Sequence, residues 1–324
     1  MHEGNQIRIH GDASLPTLVY LPGMHGDWTL VSSFRAAVAD KVRFVEFTYA
    51  RTTVDSLADY AREIERLLLA RGIARGWLLG ESFGSQPAWE LVRRYLESPR
   101  FPSDLSAARD PATAGGGAAV PAASAAVRSA TDSGAGRPDG RWDARPTAGQ
   151  FRPLGLILAG GFVRHPTIWA VRRAQRFSAR VPMRVVKLFC VVYGRYAKFR
   201  HKRAPETLAS IDEFVANRTT EMDRRAIVHR YKLIAENDLR PVARRTLLPV
   251  YYLAGLVDPL VPWPFVRWWL RNHCPGYRGG KTIWRADHNV LGTQPKVSAD
   301  LILQWMSAVP AATADPFRKV HFPR

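Results

Sequence analysis

Gly76-Trp-Leu-Leu-Gly80-Glu81-Ser82-Phe83-Gly84 is an apolar run that ends in Gly-x-Ser-x-Gly and is followed by a helical pattern over Pro87–Leu96. A strand that turns sharply into a helix needs small residues on both sides of the turning residue, and the serine is left exposed at the strand tip. The helix that begins there offers backbone N–H groups to developing negative charge. The same residues also fit a serine that merely caps a helix beside convenient glycines. Only further parts in the right order separate the two readings.

Further parts are present. The run Thr17–Leu21 ends in Pro22-Gly23-Met24-His25-Gly26, a glycine turn able to present backbone amides to a substrate oxygen. Such an oxyanion site needs two donors, and the expected pair is the N–H of Phe83, directly after the serine, and the N–H of Met24. His25 lies on the same loop, but a downstream histidine has the better context. Val250–Gly255 is another apolar strand and leads into Leu256-Val257-Asp258-Pro259-Leu260-Val261-Pro262. A carboxylate just past a strand tip is placed to accept an imidazole Nδ1–H, and it can also simply cap the turn before Pro262. The strand expected over Lys281–Trp284 ends in Arg285-Ala286-Asp287-His288-Asn289, which sets His288 on a loop beside the same sheet edge. Asp287 would have to fold back on its own neighbour to reach the ring, so Asp258 is the preferred carboxylate.

Strand candidates Gln6–His10, Thr17–Leu21, Val42–Tyr49, Gly76–Leu79, Leu154–Ala159, Pro249–Ala254 and Lys281–Trp284 alternate with helical spacing. The helices are expected over Leu30–Ala39, Val54–Ala70, Pro87–Leu96, Pro264–Arg271 and Val297–Met306. Continuously apolar strands suit a sheet covered on both faces, and the alternation implies an α/β fold with a mainly parallel sheet. Two stretches break the rhythm. From 100 to 149, Ala, Gly, Ser and Pro make up 31 of 50 residues, too little apolar surface to offset ordering entropy, so a disordered insertion is expected there. From 164 to 246 the apolar spacing is helical throughout, which predicts a helical cap over the C-terminal edge of the sheet. The domain reading is therefore a core of 1–163 and 247–324, interrupted by the insertion, plus the cap.

Strand-LPGMHG, GESFG, GLVDPLVP and a terminal ADHN loop, in this order and spacing, resemble the α/β-hydrolase superfamily, over residues 6–99 and 150–310. The resemblance implies a three-layer α/β/α sandwich with an inserted helical cap. It carries the nucleophile to Ser82, the acid to Asp258, the base to His288 and the oxyanion amides to Met24 and Phe83. Serine rather than aspartate at 82 argues against the branches that form an ester on a carboxylate. The implied activity is a serine hydrolase cleaving a carboxylic ester or related acyl bond of a small or lipid-like substrate, with no cofactor. A thioesterase or an acyltransferase on CoA- or carrier-bound acyl groups would use the same residues. Two readings of another class stand beside these: a hydrolase-like binding protein with an idle triad, and a basic protein that meets membrane surfaces. Trp28, Trp263, Trp268, Trp269 and Trp284 lie near the expected active-edge loops and either line an acyl pocket or pack in the core.

Composition bounds these expectations. With 46% hydrophobic and 23% charged residues the 324-residue chain is an ordinary globular protein. Two cysteines, Cys190 and Cys274, exclude a disulfide framework, and no metal-ligand spacing occurs. The start of the chain shows no basic-then-apolar leader, so the expected location is cytoplasmic, or peripheral at a membrane. The net charge of +19 is concentrated: residues 164–246 hold 20 Lys and Arg against 7 Asp and Glu. On one helical face fall Arg184, Lys187, Arg195, Lys198 and Lys202, and on another Val185, Leu188, Val192, Tyr196 and Phe199. That basic face is either a solvated surface or a site for an anionic membrane, a CoA-type phosphate or an acidic carrier protein. No nucleic-acid-reading motif accompanies it.

Overall fold

The computed structural model describes residues 4–98, 149–202, 204–216 and 220–308. The chain divides into a main unit, 1–97 with 150–324, and a second, 98–149. The insertion expected over 100–149 lies, but for its last residue, outside the described residues.

Among the described residues seven strands form one sheet: β1 (Gln6–His10), β2 (Thr17–Leu21), β3 (Arg43–Thr48), β4 (Arg75–Glu81), β5 (Arg152–Ala159), β6 (Val250–Gly255) and β7 (Tyr277–Ile283). Their spatial order is β1-β3-β2-β4-β5-β6-β7. Only β1 runs antiparallel, pairing Gln6 with Thr48, while every other pair is parallel. Parallel neighbours cannot be joined by a tight turn, so helices carry the chain back across the sheet. These include α1 (Ser32–Val38), α2 (Leu57–Ala70) and α3 (Ser85–Leu96). The Ser56 hydroxyl accepts from the Asp59 N–H and the Asp59 carboxylate accepts from the Ser56 N–H, a reciprocal cap that starts α2 three residues later than the apolar spacing predicts.

Successive strand side chains point to opposite faces. Leu18, Tyr20, Leu79, Ile157 and Leu253 enter one core with Phe34 and Val38 of α1. Between β5 and β6 the chain forms α4 (Ile168–Arg180), α5 (Met183–Arg200), α6 (Pro205–Ala216), α7 (Glu221–Glu236) and α8 (Arg240–Arg245). Beyond β6 come α9 (Trp263–His273), β7, α10 (Val290–Thr293) and α11 (Pro295–Ser307), and Ala299, Ile302 and Met306 of α11 join the α1 core. On the other face α2 and α3 pack together and α3 lies on β4 and β5, burying Ile64, Leu68, Trp89 and Val92.

Three sequence expectations are adjusted. The helix expected from Leu30 begins as a tighter turn, Thr29–Val31, before α1. β7 starts at Tyr277, not Lys281, because Gly279 and Gly280 are held by backbone pairing to Tyr251 and Tyr252 and not by side-chain burial. Trp28 is a core residue, with the Arg8 guanidinium 3.9 Å above its ring, whereas Trp268 and Trp284 are exposed.

Candidate active site

The C-terminal ends of β4, β6 and β7 bring three side chains into one row. Ser82 follows β4 directly and adopts φ +50°, a left-handed conformation that costs a non-glycine residue energy. The flanking glycines make the turn possible. A Cβ on Gly80 would stand 2.7 Å from the Ser85 Cα, and one on Gly84 would fall inside the Leu21 carbonyl. The Ser85 hydroxyl donates to the Ser82 carbonyl at 2.6 Å and accepts from the Phe162 N–H at 3.0 Å, tying the turn to the end of β5.

His288 Nε2 lies 2.8 Å from Ser82 Oγ, and its Nδ1 lies 2.9 Å from Asp258 Oδ2. Asp258 also caps its own turn, its Oδ1 accepting from the Leu260 and Val261 N–H groups at 2.8 and 3.0 Å. The turn cap fixes one oxygen and leaves the other for the imidazole. Asp287 points elsewhere, accepting from Arg200 Nε at 2.9 Å and from the Asn289 N–H at 3.0 Å. The His288 loop fits because Gly160 and Gly255 have no side chains: a Cβ on Gly160 would meet the His288 carbonyl at 2.9 Å, and one on Gly255 would strike the Asp287 carbonyl.

The electrostatics favour the protonated form of His288. Burial works against the imidazolium of His288, but the hydrogen bond and charge of Asp258, with Glu81 and Asp287, outweigh it and raise the pKa. Glu81 is itself fully buried beside the serine, and burial pushes its carboxyl up to about 7 despite a hydrogen bond from the Tyr20 hydroxyl. An unfolded glutamate loses its proton near 4.5, so between that pH and 7 the folded chain holds more protons and this group subtracts stability as pH rises.

The loop after β2 lies against Ser82, since a Cβ on Gly23 would stand 3.4 Å from the Ser82 Cβ. Arg230 of α7, itself buried, donates through Nη1 to the Met24 carbonyl at 2.8 Å and through Nη2 to the Ala50 carbonyl at 3.2 Å. Its guanidinium fills the space beside Gly26, where a Cβ would come within 2.5 Å of Nη1. The peptide that bears the Met24 N–H belongs to a loop clamped by this cation. His25 packs edge-on against Phe214 of α6 at 5.5 Å between ring centroids, and a Cβ on Gly23 would stand 3.4 Å from its Cε1, as close as it would stand to the Ser82 Cβ.

Two participants carry no sequence signal. Arg230 is one of 20 cations between 164 and 246 and nothing in its spacing marks it. His165 is the other: buried, edge-on to Phe162 at 4.9 Å, with its Nδ1 accepting from the Thr167 N–H at 3.2 Å. Burial lowers its pKa, with the charges of His288 and Asp258 acting in opposite directions. Among the described residues no group of three or more His, Cys, Asp or Glu is arranged to hold a metal.

No protein-family model matches the chain, and no curated protein matches it. Solved structures do. A thermophilic esterase from Thermogutta terrifontis is 17% identical with a TM-score of 0.61, over 94% of this chain and 93% of that one. The enol-lactonase from Burkholderia xenovorans LB400 is 16% identical with a TM-score of 0.60, over 94% and 96%. An α/β hydrolase from a Medee basin deep-sea metagenome library is 12% identical with a TM-score of 0.61, over 98% and 96%. The sheet order, its one antiparallel edge and these likenesses define the class: the chain has the α/β-hydrolase fold.

Proposed function

We propose that this protein is a serine hydrolase that cleaves a carboxylic ester through an acyl-enzyme on Ser82. The observation that carries the reading is the unbroken row Asp258–His288–Ser82, with heavy-atom separations of 2.9 and 2.8 Å. His288 Nε2 takes the hydroxyl proton as Ser82 Oγ attacks the ester carbonyl, and Asp258 stabilises the imidazolium. The Met24 and Phe83 amides receive the oxyanion, each such donor contributing about 3–4 kcal/mol in the transition state. The imidazolium then gives its proton to the leaving alcohol. In the second half His288 takes a proton from water, hydroxide adds to the acyl carbon, and Ser82 Oγ leaves with the proton restored. An apolar acyl group suits the exposed Leu256, Val257, Leu260 and Trp284 on the loops that bear Asp258 and His288.

The test is pre-steady-state hydrolysis of nitrophenyl esters of increasing chain length. A burst of nitrophenolate approaching one equivalent per chain supports an acyl-enzyme whose breakdown is slow. If no ester is turned over and no adduct forms, the reading fails.

The acidic limb of the pH profile follows from the base. Only neutral His288 accepts the serine proton, so kcat/KM rises with pH through the free-enzyme pKa of that ring, which lies above the ordinary histidine value of about 6.5. Asp258→Asn removes the stabilising charge and moves this limb to lower pH. A limb unmoved by that change would separate Asp258 from the base.

Arg230 is a positioning residue. Arg230→Ala frees the Met24 loop and is expected to lower kcat about 10- to 100-fold with KM little changed, because about 1 Å of misplacement costs that much. Arg230→Lys retains one donor and recovers part of the loss. Parallel changes in kcat and folded fraction would mean that Arg230 only holds the fold.

A further inference from the structure

Helix α5 has three faces at about 100° per residue. Gly194 and Ala197 face inward, Gly194 so close to α6 that a Cβ there would stand 3.0 Å from Val215 Cγ2, and Ala197 packed with Leu30, Ile211 and Phe214. On the opposite side run Val185, Leu188, Phe189, Val192, Tyr196 and Phe199, all exposed, with Leu188, Phe189 and Phe199 at 63%, 67% and 65%. Beside that stripe run the exposed Arg184, Lys187 and Arg195, with Lys198 ion-paired to Asp212 at 2.7 Å and Lys202 two residues past the end of the helix. An ordinary packing helix turns its apolar side in and its charged side out. α5 turns both out, and α4 adds exposed Trp169 and Phe177.

Contiguous apolar surface of this kind marks a place where something docks. The chemistry selects the partner. A second copy of the chain, pairing through the same face, would set these cations against themselves. A nucleic acid would match the cations and leave the leucine and phenylalanine stripe in water. An acidic carrier protein would match the same flank, but its charge gives the stripe nothing to bury against. A membrane bearing anionic phospholipid satisfies both faces at once, the stripe at the acyl-chain boundary and the cations among the headgroups. No described helix is long and apolar enough to cross a membrane, so the arrangement is one of lying on the surface.

We propose that α5 seats this protein on an anionic phospholipid surface, lying in the interface plane with its apolar stripe inserted. Its C-terminal end is fixed to the loop that carries His288: Arg200 donates to Asp287 and to the Arg285 carbonyl, each at 2.9 Å, and His201 Nδ1 lies 3.0 Å from the Gly292 carbonyl. A seated α5 therefore holds that loop close to the lipid. The inference stands whatever chemistry Ser82 performs.

The full chain is sedimented with vesicles of phosphatidylcholine alone and of phosphatidylcholine mixed with phosphatidylglycerol, at low and high salt. Binding to the mixed vesicles only, weakened by salt, is expected. Two triple variants, Leu188→Ser with Phe189→Ser and Phe199→Ser, and Arg184→Gln with Lys187→Gln and Arg195→Gln, should each weaken partitioning at least about tenfold with circular dichroism and Tm unchanged. The side chains changed are exposed, so folding is not at stake. Failure to sediment with either vesicle, or equal binding by parent and variants, overturns the proposal. So does a concentration-dependent dimer that the serine variant dissolves.

Discussion

Ser82→Ala is expected to lower kcat by about 10⁶, to a residual rate that still exceeds the uncatalysed one through oxyanion and binding contributions. The size of the loss follows from the elbow. Ser82 is held at φ +50° between two glycines that no larger residue can replace, so Oγ is presented to the ring at 2.8 Å and no other hydroxyl stands in its place. Ser85, three residues on, has its hydroxyl engaged with the Ser82 carbonyl and with Phe162 and cannot substitute. The variant relieves the left-handed strain only slightly, since alanine also carries a Cβ, and its Tm should stay near that of the parent. A drop of tenfold or less would show that hydrolysis runs elsewhere.

Asp258→Asn is expected to cost about 10⁴ in kcat, because the amide would not stabilise an imidazolium and would present the wrong partner to Nδ1. Its Oδ1 position can still accept from Leu260 and Val261, so the turn survives and the loss is catalytic. Asp287→Asn is expected to cost less than about tenfold, since Asp287 acts on Arg200 and on the Asn289 N–H and makes no hydrogen bond to the ring. Measuring both variants on one ester decides between two carboxylates that the sequence places 29 residues apart. The reverse ranking would mean that Asp287 turns to the ring in the working enzyme.

The hydrogen-bonded row was legible in the sequence because backbone geometry forces residue type at its corners. Only glycine fits at 80 and 84, and only a short polar residue followed by a strand-ending turn fits at 258, so both places leave a pattern in the chain. The strands were legible for a similar reason: Leu18–Leu21 and Leu156–Ala159 are fully buried and therefore continuously apolar. Arg230 and His165 left no pattern. Their partners are backbone carbonyls and amides, which every residue has, so nothing in the chain signals that a cation at 230 reaches Met24 and Ala50. β7 was shortened by the same blindness, its Gly279 and Gly280 being held by backbone pairing alone. The outward turn of α5 escaped for another reason. Periodicity gives the angle between its basic and apolar stripes but not the direction of the core, and here the core meets the small residues Gly194 and Ala197.

The most direct test of the account is to treat the folded protein with a fluorophosphonate, digest it, and locate the adduct by mass spectrometry. A single phosphonylated residue at Ser82, formed in parent protein and absent from Ser82→Ala and greatly slowed in His288→Ala, is the expected result. A folded protein that takes no label, or takes it on another serine, would contradict the assignment of Ser82 as the nucleophile and with it the proposed hydrolase.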